Sequence, residues 1–78
     1  MLSDILVAIC QGTGNSFDDC KLGVKWSAVN RRQYPTVPVP LVPGTVQPKP
    51  SHLATTEEMS LLIEEAYQVA SEHGVVLA

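Results

Sequence analysis

The segment RRQYPTVPVPLVPGTVQPKP, residues 31–50, contains all six prolines of this 78-residue chain. Each proline lacks a backbone N–H and fixes φ at about −65°, so neither an α-helix nor a central β-strand can run through the segment. We therefore predict an extended segment, in polyproline II conformation or at the edge of a sheet. Val37, Val39 and Leu41 would then share one side and lie on the core, and Pro43–Gly44 marks a turn.

The first part of this segment, RQYPTVP at residues 32–38, fits the recognition pattern basic-x-Φ-Pro-x-Φ-Pro, in which Φ is apolar or aromatic. In a polyproline II helix of about three residues per turn, Pro35 and Pro38 fall on one side. A groove lined by aromatic side chains can accept that side with Tyr34, while an acidic pocket takes Arg32. The pattern indicates an SH3-type ligand as one alternative. The others are a linker and an arm that packs on its own domain or on a neighbouring subunit.

Two apolar stretches precede the proline-rich segment. In residues 5–10, ILVAIC, the β-branched residues alternate, which favours a buried strand, although Ser3 and Asp4 could instead cap a short helix. In residues 21–29, KLGVKWSAV, apolar residues occupy every second position, as in a half-buried strand. QGTGNS, residues 11–16, is typical of a turn. We therefore predict a β-hairpin within residues 1–30.

The C-terminal part carries the clearest helix signal. Thr55 and Glu58 have the spacing of a capping box. An apolar stripe follows at helical spacing, His73 stands in the last turn, and Gly74 supplies a left-handed stop. Residues 75–77 then read as a short strand. The stripe consists of Met59, Leu62, Ile63, Ala66, Val69 and Ala70.

Together these elements predict one small α+β domain spanning residues 1–78. It has a β-hairpin in residues 1–30, a proline-rich extended arm in residues 31–54, and a capped amphipathic helix with a short strand in residues 55–78. The domain thus contains two or three short strands and one C-terminal helix.

The composition allows a core but only a thin margin of stability. Apolar residues make up 45% of the chain, which argues against disorder. A chain of this length buries only about 60% of the surface that it exposes when unfolded, and a second subunit often completes so small a core. Because one helix covers one face of the predicted sheet, we expect Trp26, or the row of residues 37–41, to be buried against another chain.

The charges divide unevenly along the chain. Residues 1–50 carry five basic and three acidic side chains, a net charge of +2, whereas residues 51–78 carry five glutamates and no Lys or Arg, a net charge of −5. This asymmetry indicates either complementarity within the domain or a charged face offered to a partner. The basic residues are too few and too scattered for a nucleic-acid-binding surface. The apolar run at residues 5–10 is too short to cross a bilayer and follows no basic region, so we expect no membrane association and a cytoplasmic location.

The glutamates of the predicted helix, at positions 57, 58, 64, 65 and 72, are expected to gather opposite its apolar stripe. Leu61 falls among them. It is either an isolated exposed leucine or an apolar anchor within a charged rim that contacts a partner.

No group of residues in the sequence points to catalysis. Cys10 and Cys20 lack the spacing of a zinc site, and they are either free thiols or a disulfide. A nucleophilic Cys20 would need a base such as His52, and the neighbouring carboxylates of Asp18 and Asp19 oppose thiolate formation. The glycine spacing of residues 11–16 matches no nucleotide-binding motif, although such a loop could hold a phosphate. We therefore expect no cofactor and no metal.

These observations favour a non-enzymatic protein–protein interaction or structural accessory subunit, homo-oligomeric or docked in a larger assembly. The alternatives are a small-molecule or phosphate-binding protein that uses the loop at residues 11–16, and an SH3-type ligand. The residues expected to contact a protein partner are Trp26, Arg32, Tyr34, Pro35, Val37, Pro38, Val39, Leu41 and Leu61.

Overall fold

A computed structural model describes residues 2–76 and shows a mainly helical domain. Helices account for 64% of the described residues, and the only sheet among them has two short antiparallel strands. The predicted α+β domain with a single C-terminal helix is therefore wrong. The elements in chain order are α1 (Leu2–Thr13), α2 (Phe17–Arg32), β1 (Thr36–Pro38), β2 (Val46–Pro48), a 3₁₀ turn (Ser51–Leu53) and α3 (Thr56–Glu72).

A pair of helices replaces the β-hairpin predicted for residues 1–30. In α2 the buried side chains are Cys20, Val24 and Ala28, and their spacing of four residues places them on one face of a helix. The strand prediction grouped Leu22 and Trp26 with Val24 and Ala28, but both lie on the exposed side of α2. The alternation of apolar residues was therefore a misleading signal.

Local interactions at both ends of α2 favour the helix. The Ser16 hydroxyl accepts a hydrogen bond from the backbone amide of Asp19 at 3.2 Å, which is the usual stabilisation of a helix start. Asp18 and Asp19 lie in the first turn, and Arg31 and Arg32 lie in the last turn. Both charge pairs have the sign that the helix dipole favours at their end.

For residues 3–10, the helix alternative is the correct one, since they lie within α1. Ile5, Leu6 and Ile9 of this helix are buried. The spacing of one and four residues gives one apolar face in a helix, whereas a strand would have placed Leu6 on the side opposite Ile5 and Ile9.

The proline-rich segment folds back on itself. β1 and β2 pair in antiparallel register, and beyond β1 the Val39 amide donates to the Thr45 carbonyl at 2.9 Å. Residues 36–38 are thus extended and at the edge of a sheet, as the prolines predict, and the predicted turn at Pro43–Gly44 is present. The expectation that Leu41 lies on the core is wrong, because its side chain is fully exposed.

The structure confirms the predicted start of α3. The Glu58 amide donates to the Thr55 hydroxyl at 3.2 Å, and the Thr55 amide donates to the Glu58 carboxylate at 2.9 Å, which completes the capping box. Leu62, Ala66 and Ala70 of the apolar stripe are buried, and Gly74 has the predicted positive φ, at 67°. Residues 75 and 76 form no strand, and Leu77 lies outside the described residues.

The core lies among the three helices, where α3 packs against both α1 and α2. One buried cluster joins all three helices, and a second joins α2, α3 and Tyr34. None of the helices in residues 2–76 has the length and apolar character needed to cross a membrane. The first cluster comprises Ile5, Leu6, Ile9, Cys20, Val24, Ala66 and Ala70, and the second comprises Ala28, Tyr34 and Leu62.

Candidate functional site

The loop between β1 and β2 and the residues that flank it form the most distinctive surface of the domain. We call residues 39–46 the hairpin tip. It contains two successive turns: the Val42 amide donates to the Val39 carbonyl at 3.3 Å, and the Thr45 amide donates to the Val42 carbonyl at 3.3 Å. Each turn has proline at its second position and a residue with positive φ at its third, the pattern of a type II turn.

Leu41 is the residue of the hairpin tip that sequence rules explain least. It has a φ of 66° at the turn position where the second turn has Gly44, and the left-handed region costs a residue with a Cβ about 1–2 kcal/mol. Its side chain is also fully exposed, with a relative accessibility of 101%. Neither feature stabilises the isolated domain.

The surroundings of Leu41 are apolar. Val42 and Val46 are 47% and 49% exposed, and residues 33–48 contain no charged residue. The hairpin tip therefore presents an uncharged surface with one prominent leucine, which suits contact with another apolar surface rather than with an ion or a charged ligand.

Prolines limit how another chain can approach the hairpin. Backbone hydrogen bonds join residue pairs 35/49 and 39/45, so in this antiparallel ladder the amide positions of residues 36, 38, 46 and 48 point away from the sheet. Two of these four positions are Pro38 and Pro48, which have no N–H to donate. Each outer edge thus lacks one of its donors, which disfavours the addition of a further strand. A partner would bind the side chains of the hairpin rather than its backbone.

The base of the hairpin is fixed to the helices. The buried Tyr34 hydroxyl donates to the Lys49 carbonyl at 2.7 Å, and the Lys49 ammonium group lies 2.7 Å from a carboxylate oxygen of Glu58. The hydrogen bond from Lys49 and a second from the Thr55 amide lower the pKa of Glu58. Burial, with a smaller contribution from the Glu58 charge, raises the pKa of Tyr34. The contacts hold the hairpin in a defined place on the domain.

The residues expected to contact a partner lie in three places. Tyr34 is buried, Arg32 is engaged in hydrogen bonds within the domain, and Leu61 packs against the second core cluster. Trp26 is 37% exposed on the outer side of α2. The residues that the structure brings together at the hairpin are Pro35, Val37, Pro38, Val39 and Leu41.

The prediction that all five glutamates of α3 gather opposite its apolar stripe is wrong at Glu65, which is fully buried. The Ser27 hydroxyl donates to one carboxylate oxygen of Glu65, and Arg32 Nε donates to the other at 3.0 Å. Arg31 Nη1 lies 3.6 Å from the first oxygen. A buried carboxylate is tolerated only when it is paired and hydrogen-bonded in this way.

Other charges of α2 and α3 extend this network to the surface. Arg31 donates two hydrogen bonds to Glu72, at 3.0 and 3.1 Å. Arg32 also donates to Glu64 at 3.1 Å and to Gln68 at 2.9 Å. The uneven charge of the two halves of the chain therefore serves complementarity within the domain, which was one of the two alternatives.

The glycine-containing segment at residues 11–16 was predicted to be a turn, but residues 11–13 lie in α1, and its small residues have structural uses. A Cβ on Gly12 would lie 2.8 Å from Val75 Cγ2, so the glycine admits close packing of the C-terminal segment. Gly14 has a φ of 76° at the end of α1. The start of α2 that follows carries Asp18 and Asp19, and their charges would repel a phosphate.

A cleft of about 380 Å³ lies beside this loop, between the C-terminal ends of α1 and α3 and the side of α2 that runs from Asp19 to Arg31. Cys20, Ser27, Arg31, Glu72 and His73 are among its lining residues, and His52 is not. The structure therefore does not pair Cys20 with His52 across this cleft. Arg31 and Glu72 already bind each other there.

Cys10 and Cys20 are both free thiols. Cys20 belongs to the first core cluster, and Cys10 is partly buried against the same cluster. Burial raises the pKa of Cys10, and the nearby Cys20 side chain raises it further. The two side chains are thus neighbours in the structure.

Within residues 2–76, no group of three or more His, Cys, Asp or Glu side chains is placed to hold a metal ion. Comparisons with protein-family models, with curated proteins and with solved structures found no match. An assignment of function therefore depends on the geometry of the surface, and above all on the hairpin tip.

Proposed function

We propose that this chain is a non-enzymatic interaction subunit that docks onto another protein through the hairpin tip, as a homo-oligomer or as an accessory piece of a larger assembly. The observation that carries the proposal is Leu41, whose side chain is fully exposed on a backbone of positive φ. Strained residues that persist without benefit to the fold occur at functional positions. A leucine held in this way can enter an apolar pocket of a partner as the anchor of an interface.

The size of the apolar tip indicates what kind of interface it can support. Burial of Leu41 contributes about 2–3 kcal/mol, and Val42 and Val46, already half-buried, add about 1 kcal/mol each. Association costs at least about 4 kcal/mol in lost translational and rotational freedom. The hairpin tip alone therefore gives weak binding, and a stable interface needs further area. Leu22 and Trp26, at 52% and 37% exposure, are other apolar side chains available at the surface.

Sedimentation equilibrium at micromolar concentration tests the proposal with three chains: the wild type, Leu41→Ser and Leu53→Ser. Leu53 is a matched control because it is also exposed, at 57%, but lies in the 3₁₀ turn outside the hairpin tip. We expect the wild type to self-associate and Leu41→Ser to raise the Kd by about 30-fold, equivalent to about 2 kcal/mol. Leu53→Ser should leave the Kd unchanged, and the helical circular-dichroism signal should be the same for all three.

A second substitution separates binding from stability. Leu41→Asn places a residue that tolerates positive φ in the turn, so we expect the free energy of unfolding to rise by about 0.5–1 kcal/mol. The same substitution should weaken association as Leu41→Ser does. An unchanged Kd for both Leu41 variants would refute the proposal for a homo-oligomer. If the wild type is a monomer, the proposal requires that Leu41 be buried against another protein in the assembly isolated from the producing cells. A Leu41 side chain that is exposed to solvent in that assembly would refute the proposal as a whole.

A further inference from the structure

The connection between α1 and α2 places the two cysteines of the chain side by side. Only residues 14–16 separate the helices. The Gly14 amide donates to the Cys10 carbonyl at 2.9 Å, and the Cys20 amide donates to the Ser16 carbonyl at 3.0 Å. The backbone of each cysteine is thus tied to one end of the same short connection, which limits how far the two residues can separate.

Both side chains contribute to the packing of the first core cluster. Cys20 is buried in that cluster and Cys10 is packed against it, and the Cys20 side chain is near enough to raise the pKa of Cys10. The Cys20 side also faces the 380 Å³ cleft, so a small molecule can approach the pair from solvent. Contact between thiols and access to an oxidant are the two conditions that a reversible disulfide requires.

We propose that Cys10 and Cys20 are a redox-sensitive pair, which a low-molecular-weight disulfide such as oxidised glutathione converts to an intramolecular disulfide that fastens α1 to α2. One cysteine, as the thiolate, attacks a sulfur of glutathione disulfide, forms a mixed disulfide and releases one glutathione. The second cysteine loses its proton, attacks the cysteine sulfur of the mixed disulfide and displaces the other glutathione. The two cysteines lose two electrons and two protons, and glutathione disulfide gains them as two thiols.

Burial of Cys10 also affects how fast the pair can close. Because the pKa of Cys10 is raised, little of its thiolate is present at neutral pH, and the thiolate is the reactive form. The low thiolate population slows the reaction of Cys10, and the ratio of reduced to oxidised thiols around the protein sets how far the pair closes. The proposal is independent of the hairpin tip, so each can fail without the other.

Titration of the wild-type chain with mixtures of reduced and oxidised glutathione tests the proposal. We expect an intact mass lower by two hydrogen atoms, a single proteolytic peptide pair joined through Cys10 and Cys20, and complete reversal by dithiothreitol. Closing this short loop should raise the Tm by about 10 °C or more. Cys10→Ser should accumulate the mixed disulfide instead, with no rise in Tm.

Three results would overturn the proposal. They are a stable mixed disulfide on the wild-type chain, a disulfide between two chains, and no reaction in glutathione disulfide while unfolded chain in the same mixture does react. The measurement on the wild type is decisive even if the serine variants fold poorly, because it needs no substitution.

Discussion

Replacing Glu65 by glutamine should destabilise the domain far more than the same replacement of its neighbour Glu64. Glu65 is fully buried and accepts hydrogen bonds from Ser27 and Arg32, whereas the side chain of Glu64 is 61% exposed although it also binds Arg32. Glutamine keeps the shape of the side chain and loses its charge. The comparison therefore isolates the effect of burial on two adjacent residues that share one arginine.

The expected loss follows from the two hydrogen bonds of Glu65. The Ser27 bond changes from one with a charged group, worth about 1.5–3 kcal/mol, to one between neutral groups, worth about 0.5–1.5 kcal/mol. The Arg32 bond changes from an ion pair to a bond with one charged partner, so each bond weakens by about 1 kcal/mol. Glu65→Gln should therefore lower the free energy of unfolding by about 2 kcal/mol. Arg31 is 41% exposed and 3.6 Å away, so it adds little. Glu64→Gln should cost less than about 0.5 kcal/mol, as surface ion pairs do.

Urea unfolding followed by far-ultraviolet circular dichroism measures both variants. A domain of this length has a stability of only about 4–12 kcal/mol, so a loss of 2 kcal/mol shifts the urea midpoint clearly while leaving the protein folded. The slope of the transition should stay the same for both, which shows that the folded and unfolded states are unchanged in compactness. Equal midpoints for Glu65→Gln and Glu64→Gln would refute the idea that the buried carboxylate joins α2 to α3.

Three further predictions concern the hairpin. Lys49 lowers the pKa of Glu58 in the folded state. The contribution of Glu58 to stability is therefore present above its unfolded pKa of about 4.5 and is lost as the pH falls through the folded pKa. Glu58→Gln should reduce this loss of stability in acid unfolding curves. The pKa of Tyr34 is raised, so its contribution to stability disappears as the pH rises through the folded pKa. Tyr34→Phe should reduce the loss of stability at alkaline pH. It should also lower the free energy of unfolding at neutral pH by about 1–3 kcal/mol, because the Lys49 carbonyl loses its hydrogen-bond donor. Pro38→Val restores an outward amide to β1 and should increase aggregation measured by light scattering. No increase would contradict the idea that Pro38 prevents a further strand from pairing with this edge.

The α3 helix could be predicted because its signals are local. The capping box needs only residues 55–58, and the apolar stripe repeats within the helix itself. The two N-terminal helices could not be distinguished from strands in the same way. Positions 20, 24 and 28 are four residues apart, which places them on one face of a helix. Because four is an even number, the same positions also fall on one face of a strand, so the buried stripe of α2 fits both patterns. The Ser16 cap and the packing of α2 against α1 and α3 decide between the two.

The buried network and the geometry of the hairpin tip lie beyond such local signals. Ser27 and Arg32 are 38 and 33 residues away from Glu65 in the chain, and no pattern in the sequence joins them. Leu41 was predicted to be a contact residue, but on the expectation that it shares a side with Val37 and Val39. A positive φ is usual for glycine or asparagine and not for leucine, so the sequence offers no sign of the turn that exposes it.

Hydroxyl-radical footprinting of Leu41 and Leu53 tests the role of the hairpin tip most directly, because it reports the exposure of each side chain as the chain concentration is raised. In dilute solution both leucines should be oxidised readily, since both are exposed in the isolated domain. At the concentration where the sedimentation mass increases, we expect Leu41 to become protected and Leu53 to remain reactive. An associated particle in which Leu41 is oxidised as fast as in the monomer would contradict the account.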